Sequence, residues 1–221
     1  MILWLQKYYF QIQIKMLIIF KPTVLFDKIN ELNWYKNTLH QWIDDHNFPI
    51  KSKVLEVGCA TGALTSYIAK LGYIPKGVDL SNKMIELAKT NNSNIEFSIA
   101  SVLDLPFENN CFDVVIAASL INIVPDKSKA IYELTRTCKK GGMITILVPS
   151  AKFNDENLRS LQASVGDSGF SVAAMRAWHK LAPKMKISDI SDLFKEAGMI
   201  TITTKNYLQG MVISVSGIKP F

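Results

Sequence analysis

The chain predicts an α/β fold: a doubly wound sheet of seven strands, mostly parallel, closed by an antiparallel C-terminal hairpin. Three observations carry that expectation. From residue 49 onward, short apolar runs alternate with amphipathic helical stretches, the pattern of βαβ units and a parallel sheet. The first run passes into a loop of small residues, Gly58-Cys59-Ala60-Thr61-Gly62, and then a helix. The last two runs are separated only by Leu208-Gln209-Gly210, too short for a crossover helix, so they pair antiparallel.

Each element follows from its local pattern. Residues 27–47 read as one helix: Ile29, Leu32, Tyr35, Leu39 and Ile43 recur at spacings of three and four, and Trp34 and Trp42 widen the apolar face. Residues 54–57 form the first strand, and 63–71 a helix stopped by Gly72. The second strand is 74–78, after which Ser81 is placed to cap a helix reaching about residue 89. Strands follow at 95–99 and 112–117. A helix over 127–138 is ended by Gly141-Gly142, and 143–148 is the fifth strand. Residues 150–186 break the rhythm, polar with helical patches. Ser188 opens a last helix with the stripe Ile190, Leu193, Phe194 and Ala197, closed by Gly198. The expected division is an N-terminal extension and cap helix over 1–47 and one domain over 48–221.

Composition narrows the class. With 221 residues, 48% apolar and 20% charged, the chain buries a continuous core; disordered, collagen-like and disulfide-scaffold proteins are excluded. Lys plus Arg number 25 against 19 acids, a formal charge of +6. The lysines are scattered in short pairs, which reads as a solvated surface, with an anionic partner as the alternative. Cys59, Cys111 and Cys138 form no CxxC pair. They argue for a reducing, cytoplasmic compartment and against a disulfide framework, and no metal-ligand cluster is visible.

Residues 1–26 stand apart: large apolar residues with Lys7, Lys15 and Lys21 and no acid before Asp27. They lack a signal-peptide cleavage pattern and an uncharged run of the roughly 20 residues needed to span a bilayer. Residues 10–16 alternate with period two, as a half-buried strand does. Three readings stay open: a strand or short helix packed on the domain, a peripheral contact with a membrane surface, or an extension preceding a start at Met16.

The strongest chemical signal is Val54-Leu55-Glu56-Val57-Gly58-Cys59-Ala60-Thr61-Gly62. Gly58 and Gly62 let the backbone approach a ligand, and the following helix N-terminus offers unpaired N–H donors. About 20 residues on, Asp79 ends the second strand in Gly77-Val78-Asp79-Leu80-Ser81, where a carboxylate accepts the two hydroxyls of a ribose. A dinucleotide site wants G-x-G-x-x-G, whereas this loop carries Glu56, whose charge repels a pyrophosphate and attracts a cation.

With these residues, and with Asp104-Leu105-Pro106-Phe107, Phe112-Asp113-Val114-Val115, Asn122-Ile123-Val124-Pro125-Asp126 and Gly141-Gly142-Met143-Ile144, the chain resembles the class I S-adenosylmethionine-dependent methyltransferases. The likeness runs from about residue 51 to 218 and is nearest to the small-molecule enzymes related to quinone biosynthesis. It implies S-adenosyl-L-methionine as cofactor, with Glu56, Gly58, Cys59, Ala60, Gly62, Asp79, Leu80, Ser101, Val102 and Ser119 around it. It implies methyl transfer to a small, partly apolar acceptor, and 150–186 as a substrate-capping insert. Ala60 replaces the family's usual middle glycine, and Ser101 stands where an acid commonly binds the adenine amino group, leaving adenine to the Val102 amide and to Leu80 and Leu103. Ser119 to Asn122 should border the methyl group. Asn122 and His179 are the catalytic candidates; His40 and His46 are the only other histidines. No Asn/Asp-Pro-Pro-aromatic tetrapeptide and no Pro-Cys is present, which counts against nucleic-acid substrates. A non-catalytic nucleotide-binding module and, behind it, a nucleotide-dependent oxidoreductase remain as alternatives. Oligomeric state has no signature.

Overall fold

The computed structural model describes residues 2–165 and 169–221. Three helices come first: α1 (Ile2–Phe20), α2 (Pro22–Asn30) and α3 (Asn33–Asp44). The α/β body follows as β1 (Lys53–Val57), α4 (Ala63–Lys70), β2 (Ile74–Asp79), α5 (Asn82–Asn91), β3 (Glu96–Ile99), β4 (Phe112–Ala118), α6 (Lys127–Thr137) and β5 (Cys138–Pro149). Then come α7 (Asp155–Val165), α8 (Phe170–Leu181), α9 (Ile187–Glu196), β6 (Ile200–Tyr207), a 3₁₀ turn at Leu208–Gly210 and β7 (Val212–Ile218).

The strands form one seven-stranded sheet in the order β3-β2-β1-β4-β5-β7-β6. The pairs among β1 to β5 are parallel, and β7 runs antiparallel to both β5 and β6. This is the expected architecture. The strand order reverses at β1, which lies between β2 and β4, and ligands of open α/β sheets bind beyond the carboxyl ends at such a reversal.

Each sheet face has its own apolar layer, because successive strand residues point to opposite sides. Leu55, Val57, Val115 and Ile144 pack with Leu134 of α6 and Ile190 and Phe194 of α9. Val54, Val114, Ile116 and Leu147 pack on the other face with Leu39, Trp42 and Ile43 of α3 and with Leu64 and Ile68 of α4. Trp42 is fully buried and its indole donates to Thr145 Oγ1 at 3.0 Å; Thr145 also accepts from Ser216 at 2.7 Å. These bonds satisfy the polar atoms that α3 carries into the sheet.

The boundaries differ from the expected ones at five places. Residues 10–16 are helical, not a strand: as α1, Phe10 and Ile14 share one face and pack on Ala173, Ala174 and Phe170 of α8. The single helix over 27–47 is two, broken at Leu32, whose extended backbone (ψ 123°) turns its side chain into the α8 contact. Residues 150–186 contain two regular helices, with residues 166–168 outside the described residues. The last helix opens at Ile187, with Asp189 accepting from the Lys186 amide. The pair Gly141-Gly142 does not end α6 but lies inside β5, where the register jumps from Phe112↔Cys138 to Val114↔Met143. Gly141 has φ +74°, and a Cβ on Gly142 would stand 2.7 Å from the Asp113 carbonyl oxygen, so both positions serve this bulge.

Ile14 is almost completely buried between α1 and α8. A chain starting at Met16 should therefore uncover Ala173, Ala174 and Phe170. The expected result is a lower denaturant midpoint and stronger binding of an apolar dye; identical values for the full and shortened chains would refute this packing role.

Candidate active site

The alternation along β1 decides where Glu56 goes. Val54 lies in the α3/α4 layer, so Glu56, two residues on, faces those helices as well. Its carboxyl is buried, and one oxygen accepts from the Thr65 hydroxyl on α4 at 2.5 Å. Burial, only partly offset by the Thr65 bonds and reinforced by the nearby Asp79 charge, pushes the Glu56 carboxyl up to about 8.

Beyond β1 the chain turns through a strained loop. Gly58 and Gly62 both have φ +81°, and Ala60 also lies in the left-handed region at φ +46°. A methyl side chain there costs roughly 1–2 kcal/mol, the physical reason that glycine suits position 60. The loop is fastened by Asp79 at the end of β2: Oδ2 accepts from the Ala60 amide at 3.0 Å and Oδ1 from the Ser81 amide at 2.9 Å. Ser81 in turn caps α5 by accepting from the Met84 amide at 3.4 Å. One carboxylate thus joins two loop turns and keeps lone pairs for a ligand.

These groups border one cavity of about 580 Å³ at the carboxyl edge of the sheet. Of the expected residues, Glu56, Gly58, Cys59, Ala60, Asp79, Leu80, Ser101, Val102 and Ser119 line it. Gly62 does not. A Cβ there would stand 2.7 Å from the Phe97 ring, and one on Gly77 2.6 Å from the same ring, so both glycines make room for Phe97. Cys59 packs against Phe97 and Ile85, and burial pushes its thiol far above the usual range, so it holds no thiolate. Ser101 Oγ is engaged by the Leu103 amide at 3.2 Å, in the turn that follows β3. That turn is held from outside: Glu133 accepts from the Leu105 amide at 2.9 Å, and Arg136 bridges Glu133 at 2.7 Å and the Leu105 carbonyl.

The catalytic candidates lie elsewhere. Asn122 is buried and donates to the Pro183 carbonyl at 3.1 Å, tying the turn after β4 to the segment before α9. His179 meets Asp155 at 3.1 Å and the Phe153 ring, turned toward α7. His40 stacks on Tyr67, and His46 bonds Ser216 at 2.8 Å. No histidine is among the residues lining the cavity. Nor does the described part of 150–186 roof it: Phe153, Leu158, Leu161 and Met175 pack behind α3 against Trp34.

The roof is α2 and α3, through Phe26, Asn30, Tyr35 and Leu39. Tyr35 is the group that sequence reasoning missed. Most of its neighbours in the apolar stripe are core residues, whereas the Tyr35 ring lies edge-on to the stacked pair Trp34 and Trp178 and the residue lines the cavity. Burial and the Glu56 charge push this phenol up to about 12, held back by a hydrogen bond from Ser119. Ser119 occupies the turn after β4 at φ +52°.

The donor set suits an adenosyl sulfonium. Two carboxyl groups and no Lys, Arg or His are among the lining residues, so the cavity attracts a cation and offers nothing to neutralise a pyrophosphate. That charge balance weighs against the oxidoreductase alternative.

Comparison with known proteins agrees with this geometry. Residues 55–146 match the family model described as a methyltransferase domain. The chain is 28% identical over 191 residues to a ubiquinone biosynthesis O-methyltransferase of Paraburkholderia phymatum, covering 83% of this chain and 78% of that protein. It is 28% identical over 207 residues to a demethylmenaquinone methyltransferase of Shouchella clausii, covering 85% and 86%. Among solved structures, an S-adenosylmethionine-dependent methyltransferase of Thermotoga maritima superposes with a TM-score of 0.69 at 19% identity, over 92% of this chain and 100% of that one. An N-methyltransferase of Haemonchus contortus, solved with phosphomonomethylethanolamine and S-adenosylhomocysteine, gives a TM-score of 0.67 at 15% identity, over 90% and 57%. Residues 55–146 thus carry a methyltransferase domain, and with its loop, its reversed strand order and its antiparallel ending the chain is an S-adenosylmethionine-dependent methyltransferase of the small-molecule type.

Proposed function

We propose that this enzyme methylates a small quinone-like or otherwise aromatic acceptor with an apolar body. The observation carrying the reading is the make-up of the cavity at the carboxyl edge of the sheet. Its floor holds Glu56 and Asp79, and its wall beyond Ser119 is apolar, formed by Phe26, Leu39, Leu120 and Ile123. The relatives that act in ubiquinone and menaquinone synthesis support this acceptor class.

In this assignment Asp79 holds the ribose, the Gly58-Cys59-Ala60 backbone holds the amino-acid end, and Glu56 faces its positive charge. Leu80, Ser101 and Val102 bound the adenine. When bound, the cofactor supplies an electrophilic methyl on sulfur, and the acceleration comes largely from holding the acceptor in line with it. Ser119 and Tyr35 form the edge against which an acceptor hydroxyl lies. A phenol held near 12 stays protonated at neutral pH, so Tyr35 orients by hydrogen bonding and does not serve as the base. Among the described residues lining the cavity, no cation stands ready to receive a phosphorylated acceptor.

The reading is tested by methyl transfer from S-adenosylmethionine to a short-chain demethylmenaquinol, with phosphomonomethylethanolamine as the contrasting acceptor. Turnover of the quinol alone is expected; turnover of the phosphorylated amine alone would reverse the assignment.

Asp79→Ala should weaken S-adenosylhomocysteine binding by roughly 1.5–3 kcal/mol, the range for charge-assisted hydrogen bonds, as read by calorimetry. Unchanged affinity would mean that the ribose lies elsewhere. Glu56 makes a pH prediction. The folded protein keeps this proton up to about pH 8, whereas an ordinary glutamate loses it near 4.5. Stability contributed by this group is thus complete below about pH 4.5 and lost as pH rises through about 8. A cation placed beside Glu56 reverses the preference, so cofactor binding should release a proton at pH 7. Calorimetry in buffers of different ionisation enthalpy detects that proton, and Glu56→Gln should abolish it. Tyr35→Phe should leave S-adenosylhomocysteine affinity within about twofold and lower kcat/KM about two- to tenfold, the weight of one neutral hydrogen bond. A loss confined to cofactor affinity would place Tyr35 on the cofactor side.

A further inference from the structure

Helix α1 is apolar on two sides. Phe10, Ile14 and Leu17 share one face, where Phe10 and Ile14 meet α8. The other carries Tyr9, Ile12, Met16 and Ile19 at helical spacings of three, four and three, with Phe20 beside them. Among the described residues nothing covers this second stripe: Ile19 and Phe20 are about two-thirds exposed (68% and 66%), and Met16 is 53% exposed. Exposed apolar residues continue into α2 as Val24 and Phe26. A soluble surface seldom shows so many large apolar side chains in one row, so the row points to something that seats on it.

Charge selects the occupant. Lys15 and Lys21 are exposed beside the stripe, and no acid occurs among residues 9–26; Asp27, Lys28 and Glu31 follow at the far end, Lys28 lying 5.5 Å over the Phe170 ring. A second copy of the same face, paired about a twofold axis, would bring lysine against lysine. A bilayer surface bearing anionic lipid meets both features at once, with acyl chains for the stripe and headgroups for the lysines. The helix lies on such a surface and does not cross it: among the described residues, no helix is long and apolar enough to span a membrane.

Phe26 connects this face to the chemistry. It is 40% exposed and it also lines the active-site cavity. We propose that the exposed face of α1 and α2 seats on an anionic bilayer, so that an apolar acceptor enters the cavity past Phe26 directly from the lipid. The proposal rests on the apolar-acceptor reading above for its purpose, but the seating is measured independently of turnover.

The test is flotation of the full-length protein with vesicles of phosphatidylcholine alone or with 30 mol% phosphatidylglycerol (a composition of about this anionic content), at low and high salt. Binding to the anionic vesicles is expected, at least about fivefold above neutral ones and weakened by salt. Ile12→Glu with Ile19→Glu should abolish it, and Lys15→Glu with Lys21→Glu should reduce it about tenfold or more. All four side chains are exposed, so circular dichroism and S-adenosylhomocysteine affinity should match the parent. Absence of anionic-vesicle binding, or binding untouched by the isoleucine changes, overturns the proposal. A dimer seen by sedimentation and dispersed by those changes overturns it too, in favour of a second copy. In each of these cases retained S-adenosylhomocysteine binding would leave the methyltransferase reading standing.

Discussion

The site depends on one carboxylate. Asp79 accepts the amides of Ala60 and Ser81, so the loop leaving β1 and the loop leaving β2 are set by the same side chain. The first loop is strained at Ala60, and the bond from its amide is part of what holds that conformation. The register Val57↔Val78 places the two strand ends side by side, which brings Asp79 to the turn. Sheet topology therefore supplies the position, and the carboxylate converts that position into a fixed backbone cradle.

A second constraint acts from above. Glu56 is carried toward α3 by strand alternation, and burial keeps it protonated at neutral pH when no cation faces it. A neutral carboxyl beside Tyr35 costs the fold less than a buried charge, and the same group becomes a counter-charge once a cation arrives. On the proposed assignment, part of the cofactor recognition is stored in that proton. Tyr35, Ser119 and Glu56 interact across α3, the turn after β4, and β1: the Glu56 charge raises the Tyr35 phenol and the Ser119 hydrogen bond lowers it.

Much of this was legible in the residues. Runs such as Val114–Ala118 are apolar on both faces and end in small residues, so the strands and their parallel order are readable directly, and Asp79 follows from its place at a strand end. Other parts were illegible for physical reasons. Gly62 looks like a ligand-approach glycine, but its need is set by Phe97, thirty-five residues away, and no local pattern encodes that contact. Tyr35 shares its helical stripe with Leu39 and Ile43, and periodicity does not distinguish a ring that ends in the core from one whose hydroxyl ends in a cavity. Residues 10–16 alternate as a strand does because Gln and Lys interrupt large apolar residues; as α1, the helix has two apolar sides, and that pattern hides amphipathicity.

That double-sided helix bears on how the cavity is reached. A core helix becomes apolar all round when protein covers every side, but α8 covers α1 on one side only. Burying the remaining stripe against protein would need a further layer with acids to meet Lys15 and Lys21, and the fold spends its nearest acids, Asp27 and Glu31, at the far end of α2. Phe26 shares the boundary between this stripe and the cavity. A polar acceptor would gain nothing from such an approach, because it dissolves in the water that already reaches the mouth. An acceptor held in lipid must leave the bilayer, and each apolar group transferred through water costs about 0.8 kcal/mol per methylene. On the proposed lipid route an entrance whose rim is itself apolar would remove much of that penalty, a demand that the make-up of α1 and α2 and the apolar wall beyond Ser119 would meet together.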